Sequence, residues 1–166
     1  LFDEVVFTWS IAETNRAPVV TDPGSQAGGE GDTVTLAVAG SDPILARQEL
    51  MESTRDAAKV IGGMLKEEQP FDAEAAMAAL KTWKQTATEA GDLFPEGSDT
   101  GHDTEAKATI WTDRAGFEEK LANFGTSVDA AIAANPGSLE ALKAAAGPVF
   151  DACKNCHEGY RVEKED

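Results

Sequence analysis

The amino-acid sequence predicts a mainly α fold, an antiparallel four-helix bundle with a short β-like appendage at its N-terminus. Three observations carry this expectation. From residue 43 onward the chain is rich in Ala, Glu, Lys, Leu and Met, and its apolar residues recur at helical spacing. Breaks at Gln69-Pro70, across residues 92–107 and at Asn135-Pro136-Gly137 divide that stretch into four amphipathic segments. Before it the composition differs, with runs of Val, Thr and aromatic residues that partly alternate. The 166 residues give room for one ordinary domain and a small addition, divided as 1–42 and 43–166.

In the first part, EVVFTWSI and DTVTLAVAG read as strands, separated by AETNRAPVVTDPGSQAGGEG, which reads as loop. FTWSI, NRAPVVTDPGSQ and GDTVTLAVAGSDP together resemble the junction between immunoglobulin-like or cadherin-like repeats. Two strands are too few for an independent sandwich. The segment is therefore expected to be an appendage that packs on its own domain, pairs with another chain or extends flexibly. LFDEVVFTWS lacks a basic start and a long apolar stretch, so it does not read as a signal peptide; a processed chain or an excised piece would look the same.

The first helix opens at SDPILARQ, with Ser41 or Asp42 able to cap it and Pro43 suited to the first turn. Met51, Ala58, Ile61 and Leu65 form its apolar stripe. Asp72 caps the second helix, which turns Ala76, Leu80, Trp83 and Ala87 inward and ends near Gly91. An acidic loop, DLFPEGSDTGHDTEAK, follows. The third helix carries Ile110, Phe117, Leu121, Phe124, Val128 and Ile132. Ser138 can cap the fourth, which runs through Leu139, Leu142, Ala146 and Val149; Pro148 inside it is expected to kink it or cost a hydrogen bond. Amphipathic segments joined by modest loops assemble as a bundle.

Charge and motif narrow the function. A formal net charge of −16 argues against nucleic acid and anionic membrane surfaces, and no run of about 18 apolar residues offers a bilayer span. The fourth helix ends in DACKNCHEGYR. Zinc would want about four ligands, yet His102 is the one further His or Cys and it sits in the acidic loop. A redox dithiol belongs at a helix start within a βαβ pattern. A plain disulfide leaves the adjoining histidine without a reason. Covalent haem accounts for every residue: Cys153 and Cys156 bond its two vinyl groups and His157 ligates the iron.

From residue 43 onward the chain resembles the cytochrome c′ family. ARQELM, EEQPFDAEA, ATIWTDRAGFEEK and AAGPVFDACKNCHEGYR carry the resemblance by their order and spacing. It implies one covalently attached haem c, with His157 as proximal ligand. It places Met51 on the opposite, distal face and Arg47 near the haem propionates; the two are four residues apart and so share a helix face. It also sets Arg161 near the imidazole, where its charge would raise the potential. Met51 either supplies a sixth ligand or only fills space, and the QPFDAEA and IWTDRAGF blocks look closer to the low-spin, His/Met-ligated relatives. Phe117, Phe124, Tyr160 and Trp83 are expected in the core or against the haem.

The leading reading is thus an electron-transfer cytochrome, not an enzyme, with a redox protein as partner. The alternatives are a five-coordinate cytochrome that binds nitric oxide or carbon monoxide, and a haem module attached by its N-terminal strands to a surface or oligomeric assembly. The resemblance further implies a homodimer or other homo-oligomer, and a periplasmic or otherwise extracytoplasmic place in a bacterium.

Overall fold

The computed structural model describes residues 42–162. The two strand-like runs of the expected appendage lie outside the described residues. Helix α1 (Pro43–Leu65) starts where Asp42 accepts hydrogen bonds from the backbone N–H groups of Ile44 (2.8 Å) and Leu45 (3.4 Å). These bonds, led by the one from Ile44, hold the Asp42 carboxyl below its usual pKa. Helix α2 (Ala73–Glu89) repeats the device, with Asp72 accepting from Glu74 and Ala75. A 3-10 turn, Ala90–Leu93, continues α2 into the long loop.

The expected third helix is not continuous. A single turn, α3 (Thr109–Thr112), stops at Asp113, and α4 (Arg114–Ala134) starts afresh. At Asp113 the backbone leaves helical space (φ −125°, ψ 55°), and its side chain accepts the Gly116 N–H at 3.3 Å. A short carboxylate that bonds nearby backbone offers the chain an alternative to the helix ladder, and here it restarts the helix by capping it. Asn135, at φ 42°, ends α4 in the left-handed conformation that asparagine tolerates. Helix α5 (Leu139–Tyr160), capped by Ser138, runs through Pro148 without interruption, and Pro148 is exposed.

The long helices pack mainly as α1 on α2, α2 on α4 and α4 on α5, with α1 and α5 closing the ring more thinly. This is the four-helix bundle. Its central core joins Ile61, Met64, Leu80, Trp83, Val128, Leu142 and Val149. The inward stripe of α1 is Ala57, Ile61 and Met64, with Ala58 and Leu65 at its border and Met51 half-buried. A second cluster, at the end of the bundle where α5 finishes, contains Phe94, Ile110, Phe117 and Tyr160. Among the described residues no helix is long and apolar enough to cross a membrane.

Trp83 ties the core together. Fully buried on α2, it meets Phe150 of α5 edge-on at 5.3 Å and donates its indole N–H to the Thr54 carbonyl of α1 at 3.1 Å. Replacing it removes a large volume at the junction of three helices. Trp83→Ala is expected to lower unfolding free energy by about 3–5 kcal/mol, measured by denaturant titration followed by helical circular dichroism.

Candidate functional site

Cys153 and Cys156 stand one turn apart near the end of α5, so their side chains share a face. Both thiols are free and half-buried. Cys153 packs against the central core and Cys156 against the aromatic cluster, so the pair lies where the two apolar regions meet. Burial pushes the Cys153 thiol up to about 11, helped by the neighbouring Cys156, and burial likewise raises Cys156. Redox dithiols and zinc ligands work as thiolates, and these surroundings favour the opposite form. Among the described residues no group of three His, Cys, Asp or Glu is arranged to hold a metal ion.

His157 follows at once, in the last turn of α5, and is exposed. Desolvation of the ring is the chief cause of its lowered pKa; the Arg161 charge adds to it and Glu105 opposes it. A neutral imidazole is the form that ligates a metal. Arg161 is thus close enough to act on His157, and its backbone N–H donates to the His157 carbonyl at 3.0 Å. Its guanidinium, however, donates to Glu105 at 2.7 Å, so the positive charge expected beside the imidazole comes with a negative partner.

The segment before α3 returns along the end of α5 and holds it. Lys107 N–H donates to the Tyr160 carbonyl at 3.0 Å and Val162 N–H to the Glu105 carbonyl at 2.7 Å, either side of a single antiparallel bridge between Ala106 and Arg161. Within the cluster Tyr160 meets Phe117 edge-on at 5.4 Å, Phe117 meets Phe94 at 5.0 Å, and Phe94 meets Trp111 at 6.2 Å.

Arg47 is buried, at 3% exposure, and every hydrogen bond of its guanidinium goes to the loop. It donates to the Leu93 carbonyl (3.2 Å), the Ser98 hydroxyl (2.9 Å) and carbonyl (2.6 Å), and the Thr104 hydroxyl (2.7 Å). Its charge also lies 4.8 Å from the centre of the Phe94 ring and 5.9 Å from that of Trp111. Ser98 and Thr104 are therefore working residues that sequence reasoning passed over as loop polarity. Their one signal is the arginine itself, since a cation on an inward face must find acceptors. His102 is exposed but anchored: it shares a hydrogen bond with Asp42 at 3.1 Å, and its carbonyl accepts from Gln48 at 2.7 Å.

The donor set suits a covalent haem. Two thiols of one helix face stand at the junction of two apolar regions, and among the described residues no hydrogen bond engages the adjoining imidazole. That arrangement, on the last helix of a four-helix bundle, defines a class: haem proteins of the c type. A sequence profile of the family described as Cytochrome C' matches residues 42–161, and the chain belongs to that family. A cytochrome c-556 from Rhodopseudomonas palustris is 34% identical over 145 residues, covering 76% of this chain and 95% of the relative. The solved cytochrome c′ from Rhodopseudomonas palustris superimposes with a TM-score of 0.73 at 32% identity, over 76% of this chain and 100% of its own. A nitric oxide complex of a cytochrome c prime variant from Alcaligenes xylosoxidans gives a TM-score of 0.61 at 29% identity, over 75% of this chain and 99% of its own. The cofactor is one covalently attached haem c.

Two outcomes test this geometry. Arg47→Met strands the loop acceptors and is expected to cost about 3 kcal/mol, with faster amide exchange across Ser98–Thr104 read by mass spectrometry. Tyr160, whose hydroxyl donates to Asp113 at 2.8 Å, has its pKa pushed up to about 12, chiefly by that bond. A raised folded-state pKa means the folded chain holds the proton longer. The stability it contributes is present below the ordinary value of 10.0 and is lost as pH rises toward about 12. An ultraviolet difference titration should place the phenolate midpoint near the upper value, and Asp113→Asn should bring it down.

Proposed function

We propose that the protein is an electron-carrying cytochrome whose iron is held by His157 on one side and Met51 on the other. The observation that carries this reading is the state of Met51. Met64, on the same helix, is a core methionine at 2% exposure. Met51 is half-buried and belongs to neither apolar cluster. A thioether left out of the packing on the helix that bears Arg47 is available as a ligand. The haem would supply one-electron chemistry, and His157 and Met51 would hold its iron.

Glu158 and Gly159, which follow the attachment motif, are exposed, so a redox partner protein can approach the end of α5. With a net charge of −16, a basic partner is drawn to this chain. Arg47, on α1, would act near the propionates only through the loop its guanidinium clamps, and Arg161 would moderate the imidazole together with Glu105. The chain works outside the cytoplasm, as a carrier rather than an enzyme, and as a homodimer or other homo-oligomer. Residues 1–41 would serve to attach the haem domain to a surface or oligomeric assembly. The competing reading takes its support from the nitric oxide complex of the relative: there Met51 would only fill space, and nitric oxide or carbon monoxide would take the open side.

One absorption experiment separates them. The reduced protein is expected to show the sharp bands of a low-spin iron and to bind carbon monoxide slowly, while Met51→Leu becomes high-spin and binds it readily. A wild type already high-spin overturns His/Met ligation in favour of gas binding.

A further inference from the structure

One polar pair at the edge of the aromatic cluster, between buried Tyr160 and exposed Asp113, has no part in the proposed function. Tyr160, three residues beyond His157 on α5, is only 8% exposed, and its hydroxyl donates to Oδ2 of Asp113 at 2.8 Å. Asp113 is the residue at which α3 stops and α4 starts, so a short side chain on a pinned backbone presents the carboxylate. Its other oxygen accepts the Gly116 N–H. Gly116 makes the meeting possible: a Cβ there would stand 2.5 Å from the Tyr160 hydroxyl oxygen and nearer still to the Asp113 carboxylate. Glycine weakens a helix, so the position trades helix strength for room. Cys156, one of the two haem-bearing thiols, packs against the same cluster as Tyr160.

We propose that Tyr160 and Asp113 form a redox pair, a phenol with its own proton acceptor, that traps oxidising equivalents brought to the haem helix by peroxide. The oxidant is the haem after reaction with hydrogen peroxide. In the trapping step the phenol gives one electron to that oxidant and its hydroxyl proton to Oδ2 of Asp113. What remains is a neutral tyrosyl radical, a protonated carboxyl group and an oxidant reduced by one electron. Moving the proton with the electron avoids leaving a phenol cation in an apolar cluster. A small reductant such as ascorbate resets the pair by returning the electron, while Asp113 returns the proton. The thioethers and the iron are thereby spared an oxidation that a side chain can carry and release.

Tyr160 is the one tyrosine of the chain, so a tyrosyl signal has a single source. The haem-loaded protein is mixed with hydrogen peroxide and freeze-quenched for electron paramagnetic resonance. In parallel it is oxidised by flash-generated ruthenium(III) tris-bipyridyl, which needs no open site on the iron. Wild type should give the tyrosyl signal with both oxidants. Tyr160→Phe keeps the ring and should give none. Asp113→Asn keeps a helix-capping oxygen but not a base, and should form the radical about 10²-fold more slowly, the low end of what a positioned base contributes. A signal with ruthenium but none with peroxide, in the wild type and equally in Met51→Leu with its open iron, overturns the trap. No signal with either oxidant, or an unchanged rate in Asp113→Asn, overturns the pair. If Asp113→Asn does not fold, the rate of wild-type radical formation in deuterated water decides, and the absence of slowing overturns the pair.

Discussion

The buried guanidinium of Arg47 is the constraint on which the haem end of the bundle depends. A cation taken from water must be paid back in hydrogen bonds, and α1 alone has none to give on its inward face. The loop after α2 supplies them, from Leu93, Ser98 and Thr104, and the rings of Phe94 and Trp111 take up the remaining face of the charge. Once those contacts are made, Phe94 is placed against Phe117, and Phe117 against Tyr160. A single side chain on the first helix thereby sets the aromatic floor beneath the last one. Networks of this kind stabilise when complete and cost most when one member is lost.

Two further arginines complete the same task from other helices. Arg114, at the start of α4, donates to the carbonyls of Phe94 (3.0 Å) and Gly91 (2.9 Å) while its Nε bonds Glu118. Arg161 bonds Glu105 at the far end of the segment. The connection between α2 and α3 is thus stapled to α1, α4 and the end of α5 by guanidinium groups. The planar, five-donor geometry of arginine suits divergent carbonyl acceptors in a way that the single ammonium of lysine does not. Tyr160 and the end of the turn carrying Cys156 and His157 are held by that segment through the Lys107–Tyr160 and Val162–Glu105 hydrogen bonds.

How much of this the sequence disclosed follows from the range of the interactions. Helix caps at Asp42, Asp72 and Ser138 are local, made within three residues, and were legible as such. The core positions of α2, α4 and α5 follow the helical period and were legible too. On α1 the expected Ile61 is fully buried, whereas Ala58 and Leu65 stand one residue past the buried Ala57 and Met64, and Met51 satisfies the pattern while standing outside both clusters. The break at Asp113 was hidden: its local cap looks like any acidic residue in a helix, and its second partner, Tyr160, is 47 positions away. The loop clamp was hidden for the same reason, with Arg47 and Ser98 separated by 51 positions. The attachment motif, confined to five consecutive residues, needed no partner at all to be read.

Those hidden contacts share a location. The break between α3 and α4, the glycine that leaves room at position 116 and the buried arginine all lie at the end of the bundle that carries the cysteines and the histidine. At the opposite end the helices follow their period, and Asn135 and Ser138 turn the chain with ordinary capping. Most departures from local rules therefore lie where the site is, with Glu67, at φ 59° between α1 and α2, an exception at the other end. A helix interrupted at Asp113 is less stable in isolation than a continuous one, and glycine at 116 adds to that loss. The interruption gains a carboxylate fixed in place beside the only phenol in the chain. The large core around Trp83 lies apart from that interruption and packs α2 against α1 and α5 without it.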